Sequence, residues 1–179
     1  LASQQGKDQE VIQLLREILT IDARELRTRK QLAALLFSKS QLKDAETVLR
    51  EGLEQAPADS SLRLMLSRIH FKLGNNFDAF NVLIQHPYNQ LANDELLSFR
   101  AALAEKIGEY GIAQQDYQLL VQRNPLEAKW WLGLGVAQDK QRLNQQAIDS
   151  YQQAQQLKQL PMKVEDFVEQ RIQLLARRS

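Results

Sequence analysis

One small residue returns along this chain at a fixed interval. Ala45 in KDAETVL, Ala79 in FDAFNVL, Ala113 in GIAQQDY and Ala147 in NQQAIDSY stand 34 residues apart. Four residues after each come Leu49, Leu83, Tyr117 and Tyr151. Twelve or thirteen residues before each lie Leu32/Ala33, Leu66/Ser67, Arg100/Ala101 and Leu134/Gly135. Pro57 and Pro125 fall at the same distance after their alanines. A fixed period of this length marks a repeat array, whose units cannot bury their apolar faces alone and stack on their neighbours. Turn chemistry is sparse, with 7 Gly and 4 Pro in 179 residues. Runs rich in Leu, Ala, Gln, Glu, Lys and Arg favour helix, and strand-like alternation is scarce. Pro57, Pro87, Pro125 and Pro161 all sit outside the apolar-periodic stretches, where helices end.

The period divides the chain into repeats over 26–59, 60–93, 94–127 and 128–161, within a single domain spanning 1–179. Residues 1–25 place Val11, Leu14, Leu15, Ile18 and Leu19 on one helical face and read as the second helix of a truncated leading repeat. Residues 162–179 place Val164, Phe167, Val168, Ile172 and Leu175 on one face and read as a helix capping the open end of the stack. About ten helices are expected. Asn124 to Glu127 and Asp22 to Glu25 each have the spacing of a helix N-cap followed by a glutamate. Gly74 and Gly108 fall between first and second helices, where a left-handed turn residue is useful. The stretch GNNFDAF leaves room for a one-residue shift of the second helix.

Charge and chemistry exclude several classes. Net charge is +1, from 23 basic and 22 acidic residues, which argues against a general polyanion binder. Without cysteine there is no disulfide and no thiolate metal site, and two histidines, His70 and His86, cannot build a multi-histidine centre. No apolar run is long enough to span a membrane, and no signal peptide is visible. The chain opens at Leu1 and is expected to be a piece of a longer protein. No phosphate loop, zinc motif or nucleophile elbow is present, so neither enzyme activity nor a cofactor or metal is expected. Acid pairs such as Glu165 and Asp166 fit a helix start.

The period and the residues Trp131, Leu134, Gly135, Ala147, Tyr151 and Ala154 resemble the tetratricopeptide repeat (TPR) family. Arg29 departs from the pattern, standing where the family prefers Trp, and Gln138 stands in for its Tyr. The resemblance implies an all-α superhelical solenoid whose concave face, lined by first helices, binds a protein or peptide. The positions it places there include Arg27, Lys30 and Phe37; Leu64, Arg68, Phe71 and Lys72; Phe99; and Lys129, Leu132 and Val136. Residues 24–39 carry five basic and one acidic residue, and 59–73 carry three and one, so a basic trough with apolar interruptions is expected, suited to a partly acidic, partly apolar segment. The alternative is that these charges only solvate the helices. The family's chaperone-carboxylate clamp is not matched, since only Lys30 falls on its pattern. Trp131 is expected in the core, Trp130 between repeats, His70 in the core with a hydrogen bond, and His86 at a helix end.

The run KWWLGLGVAQDKQRLNQQAIDSYQQA, together with FVEQR in the last helix, also resembles the MSHA-type pilus biogenesis family of MshN. That resemblance implies a periplasmic domain of a membrane-anchored bacterial protein that helps assemble a type IV pilus or secretion machine by binding envelope components. The alternative is a cytoplasmic adaptor. Nucleic acid is disfavoured, because the pairs Arg27/Lys30, Ser61/Leu64, Glu95/Ser98 and Lys129/Leu132 form no repeated polar code.

Overall fold

The computed structural model describes residues 2–85 and 93–177, which hold ten α-helices and no strand. They are α1 (Ala2–Ile21), α2 (Leu26–Ser38), α3 (Leu42–Gln55), α4 (Ser60–Lys72), α5 (Asn76–Ile84), α6 (Asp94–Ile107), α7 (Tyr110–Arg123), α8 (Ala128–Lys140), α9 (Asn144–Gln156) and α10 (Met162–Ala176). His86, Pro87 and Arg178 lie outside the described residues. The helices fall into two compact units, residues 1–90 with α1–α5 and residues 91–179 with α6–α10.

Within each unit every helix packs on its predecessor. The four periodic alanines are fully buried, because only a small side chain lets paired helices approach closely. Helices α3, α5, α7 and α9 start at Leu42, Asn76, Tyr110 and Asn144, so the GNNFDAF stretch keeps register. Two residues before each start the backbone is left-handed. Gly74 and Gly108 stand there with φ of 83° and 88°, as expected, but Ser40 and Arg142 adopt 61° and 62° at the matching sites. A side chain there is strained, since Cβ crowds the carbonyl.

Two expected caps are corrected. Asn124 closes α7 and donates from its amide to Asp94 at 2.6 Å, while α8 begins four residues later at Ala128. Glu25, not Asp22, caps α2, accepting from the Thr28 amide at 2.9 Å. Asp22 instead accepts from Arg24 N–H at 2.9 Å, a turn of its own. Asp22 is thus used within its own turn and Asn124 across to the start of α6, so neither side chain caps the helix that follows.

In unit 1, Leu32, Leu36, Leu49, Leu62 and Ile69 form a core to which Ile12 of α1 belongs. The apolar face of α1 is split. Leu15 and Leu19 pack inward beside Ile12, while Val11, Leu14 and Ile18 remain 44%, 52% and 43% exposed. Helix α2 is the neighbour that covers α1, and it shields one stripe only.

In α2, α4 and α8 the fourth residue has a common task, while in α6 that place is taken by the buried Leu97. Arg29 donates to the Ala23 carbonyl at 2.9 Å, six residues back, and to the Val48 carbonyl at 3.0 Å, nineteen ahead. Arg63 repeats this, donating to Pro57 at 2.7 Å and Val82 at 2.9 Å. Trp131 donates its indole N–H to Pro125 at 2.8 Å, again six back. Arginine therefore replaces Trp without losing the bond. Trp131 itself is only half-buried, not in the core.

In unit 2, α8 carries two glycines under two tyrosine rings. A Cβ on Gly133 would lie 2.4–2.7 Å from the Tyr117 ring, and one on Gly135 2.7–2.8 Å from the nearest atoms of Tyr151. Arg100 of α6 forms a bidentate pair with the fully buried Asp116 of α7, at 2.8 and 2.6 Å. Helix α10 caps α9, with Val168 and Leu175 buried and Val164 and Ile172 packed beside them. Phe167, expected to be covered, is 44% exposed and meets Tyr151 edge-on, with ring centroids 6.4 Å apart. Arg171 fastens the cap through a bidentate pair with Asp139, at 2.8 and 2.7 Å.

Candidate functional site

Helices α2 and α4 touch in unit 1, and between them lies a mostly apolar notch of about 180 Å³. Ala33, Ala34, Phe37, Leu49, Met65 and Ile69 line it, with Arg68 on its wall. The Lys72 ammonium sits 4.7 Å from the Phe37 ring centroid, a cation–π contact at the same end. Three of the eleven expected binding residues, Phe37, Arg68 and Lys72, are thus brought together. The alanines on α2 leave the space, and Met65 supplies an adaptable wall. Met65 carried no site expectation, although its spacing of four residues from Ile69 marks the same α4 face.

The other expected residues are placed differently. Lys30 pairs with Asp59 at 2.8 Å. Asp59 also caps α4, accepting from the Leu62 amide at 2.9 Å. Burial pushes its carboxyl up, but Lys30 and the helix amides outweigh this and hold it below the usual range. Lys30 is therefore a tie between α2 and the start of α4. Leu64 is 5% exposed and is corrected from surface to interior: α2, α3 and α5 all contact α4, which leaves an apolar side chain little open surface. Arg27 and Phe71 are exposed on α2 and α4.

In unit 2, Phe99 of α6 is half-buried, and Leu132 and Val136 of α8 pack against the core beneath α10. Lys129 lies 4.5 Å from the Trp130 ring centroid and 3.2 Å from Glu127. Trp130 meets Tyr117 of α7 at 6.5 Å between centroids, the inter-repeat contact expected of it. His70 is buried, with Nε2 3.4 Å from Arg50 and Nδ1 without a partner.

Comparison with known proteins decides the family. Two family models, each described as a tetratricopeptide repeat, match residues 2–69 and 100–160. The chain is a tetratricopeptide-repeat protein. Solved TPR-type structures share its fold. The crystal structure of MamA has a TM-score of 0.69 at 15% identity, over 87% of this chain and 91% of that one. MamA 41-end from Desulfovibrio magneticus RS-1 has a TM-score of 0.68 at 17% identity, over 87% and 90%. YrrB, a TPR protein with an unusual peptide-binding site, has a TM-score of 0.69 at 15% identity, over 87% and 80%. No curated protein matches the chain. Among the described residues, no TPR helix is long and apolar enough to cross a membrane, and no group of three or more His, Asp or Glu is placed to hold a metal ion.

Proposed function

We propose that this TPR chain is a non-enzymatic scaffold that holds an extended segment of a partner protein against the α2–α4 notch. The notch itself carries the proposal. Its apolar floor takes one side chain, its volume being of the size that accepts a benzene-like group. Arg68 and Lys72 sit where a neighbouring carboxylate of the same segment would be held. The partner is accordingly partly apolar and partly acidic. Peptide binding by YrrB, which shares the fold, supports this class of ligand.

We place the scaffold in the periplasm, as part of a machine assembling an MSHA-like type IV pilus or secretion apparatus. The support is the WWLGLG run at Trp130–Gly135 followed by FVEQR at Phe167–Arg171.

A peptide array scored by fluorescence anisotropy tests the binding mode. Phe37→Ala is expected to weaken the selected peptide about tenfold with its salt dependence intact. Arg68→Glu and Lys72→Glu are expected to weaken it and flatten that dependence, because screened charges act through salt-sensitive attraction. Unchanged affinity in all three variants refutes the notch. For the location, a reporter fusion to the full-length protein that is active only in the cytoplasm refutes the pilus reading and favours a cytoplasmic adaptor.

A further inference from the structure

Glu105 lies in the last turn of α6 and is half-buried. Its Oε1 is shielded from solvent and has no hydrogen-bond partner. Glu105 stands twelve residues before Tyr117 of α7, whose ring covers Gly133 of α8. A shielded carboxylate oxygen without a donor is costly, and native proteins seldom leave one so.

The corresponding position one repeat further on also holds a carboxylate, and there it is paired. Asp139, 34 residues after Glu105, accepts from the Tyr151 hydroxyl at 3.1 Å, and Tyr151 stands 34 residues after Tyr117. Asp139 is filled by the guanidinium of Arg171 from the following helix, through two bonds. The residue 34 before Arg171 is Ala137 of α8, fully buried and with nothing to donate. Unit 2 thus holds two equivalent carboxylate positions, one occupied from within the chain and one not.

We infer that unit 2 carries a receptor for a basic side chain, an arginine or lysine of a partner protein, at the Glu105 carboxylate. The Asp139–Arg171 pair shows the chemistry the site takes: a planar donor pair meeting a carboxylate beside a tyrosine ring. The solvent-facing part of Glu105 is the way in. The site stands apart from the α2–α4 notch and needs nothing from Phe37, Arg68 or Lys72.

The test is a titration of the ¹⁵N-labelled chain with the blocked tripeptide acetyl-Gly-Arg-Gly-amide, followed by amide chemical shifts. Its citrulline counterpart has the same shape without the charge and serves as the comparison. The arginine peptide is expected to move the amides around Glu105 and Ala137, and the citrulline peptide to bind at least tenfold more weakly. Glu105→Gln is expected to lose at least tenfold in affinity, and Phe37→Ala to change nothing. Arg171→Ala, which opens Asp139, is expected to add a second set of shifts around residue 139. Equal binding of the two peptides, equal binding by Glu105→Gln, or no shifts near Glu105 at saturating peptide overturns the proposal. The comparison of the two peptides on the unaltered chain decides the matter even where a variant folds poorly.

Discussion

Replacing Glu105 with glutamine is expected to make the protein more stable at alkaline pH. Burial pushes the Glu105 carboxyl from 4.5 up to about 7 in the folded chain. The folded state therefore keeps a proton that the unfolded state has lost between those values. Stability from this group is fully present below about 4.5 and is lost as pH rises through about 7. At full weight such a shift is worth about 3 kcal/mol. The side chain is partly open to water, so screening reduces this to about 1–2 kcal/mol. Glutamine does not titrate and removes the penalty. Both tryptophans, Trp130 and Trp131, lie on α8, so their fluorescence reports the unit that holds Glu105. Urea unfolding of the parent and of Glu105→Gln, read by that fluorescence, should agree closely at pH 4.5. At pH 8 the variant should be ahead by about 1–2 kcal/mol. Taking the difference between the two proteins cancels the titration of groups that Glu105 does not act on, and Tyr117 and Tyr151, whose phenols are pushed up by burial, stay protonated at both pH values. A variant that is equal or less stable at pH 8 refutes the reasoning.

Four further outcomes can be checked by the same unfolding measurement. Gly135→Ala should cost about 1–3 kcal/mol, because its Cβ would press on the Tyr151 ring at 2.7 Å; Arg142→Gly should gain about 0.5–1 kcal/mol by relieving a left-handed backbone. Asp116→Ala should cost about 3–5 kcal/mol, since it leaves Arg100 buried without its paired carboxylate. Within the cap, Leu175→Ala should cost about 2–5 kcal/mol and the half-exposed Phe167→Ala clearly less; the reverse order would mean that α10 docks by its other edge.

The helical repeat was legible because one alanine per repeat has a steric duty that no larger residue can meet, and a duty repeated at fixed spacing shows in the sequence. The terminal helix was legible by the same logic, though its periodicity could not say which of the adjacent Phe167 and Val168 turns inward. Charge was harder to read. Lys30 looked like a partner-facing cation, but Asp59 is 29 residues away and the fold brings them together. Arg29 looked like a defect in the pattern, because the carbonyls it reaches are close only after the turns have formed. Glu105 stands in AEKIGEY among other charges, the pattern of a solvated helix end. Its signal was present all the same: Glu105/Tyr117 and Asp139/Tyr151 share one spacing and one phase of the repeat.

The arginine bonds of α2 and α4 also bear on how the chain is made. Arg29 binds a carbonyl already synthesised, at Ala23, and another that leaves the ribosome only after Val48 has been added. Arg63 waits in the same way for Val82. Each guanidinium therefore gains its second carbonyl only when the second helix of its own hairpin has emerged, and that bond needs no later segment. Nascent chains of increasing length, probed by limited proteolysis, should gain protection in steps. One step should follow when α3 clears the exit tunnel and the next when α5 does.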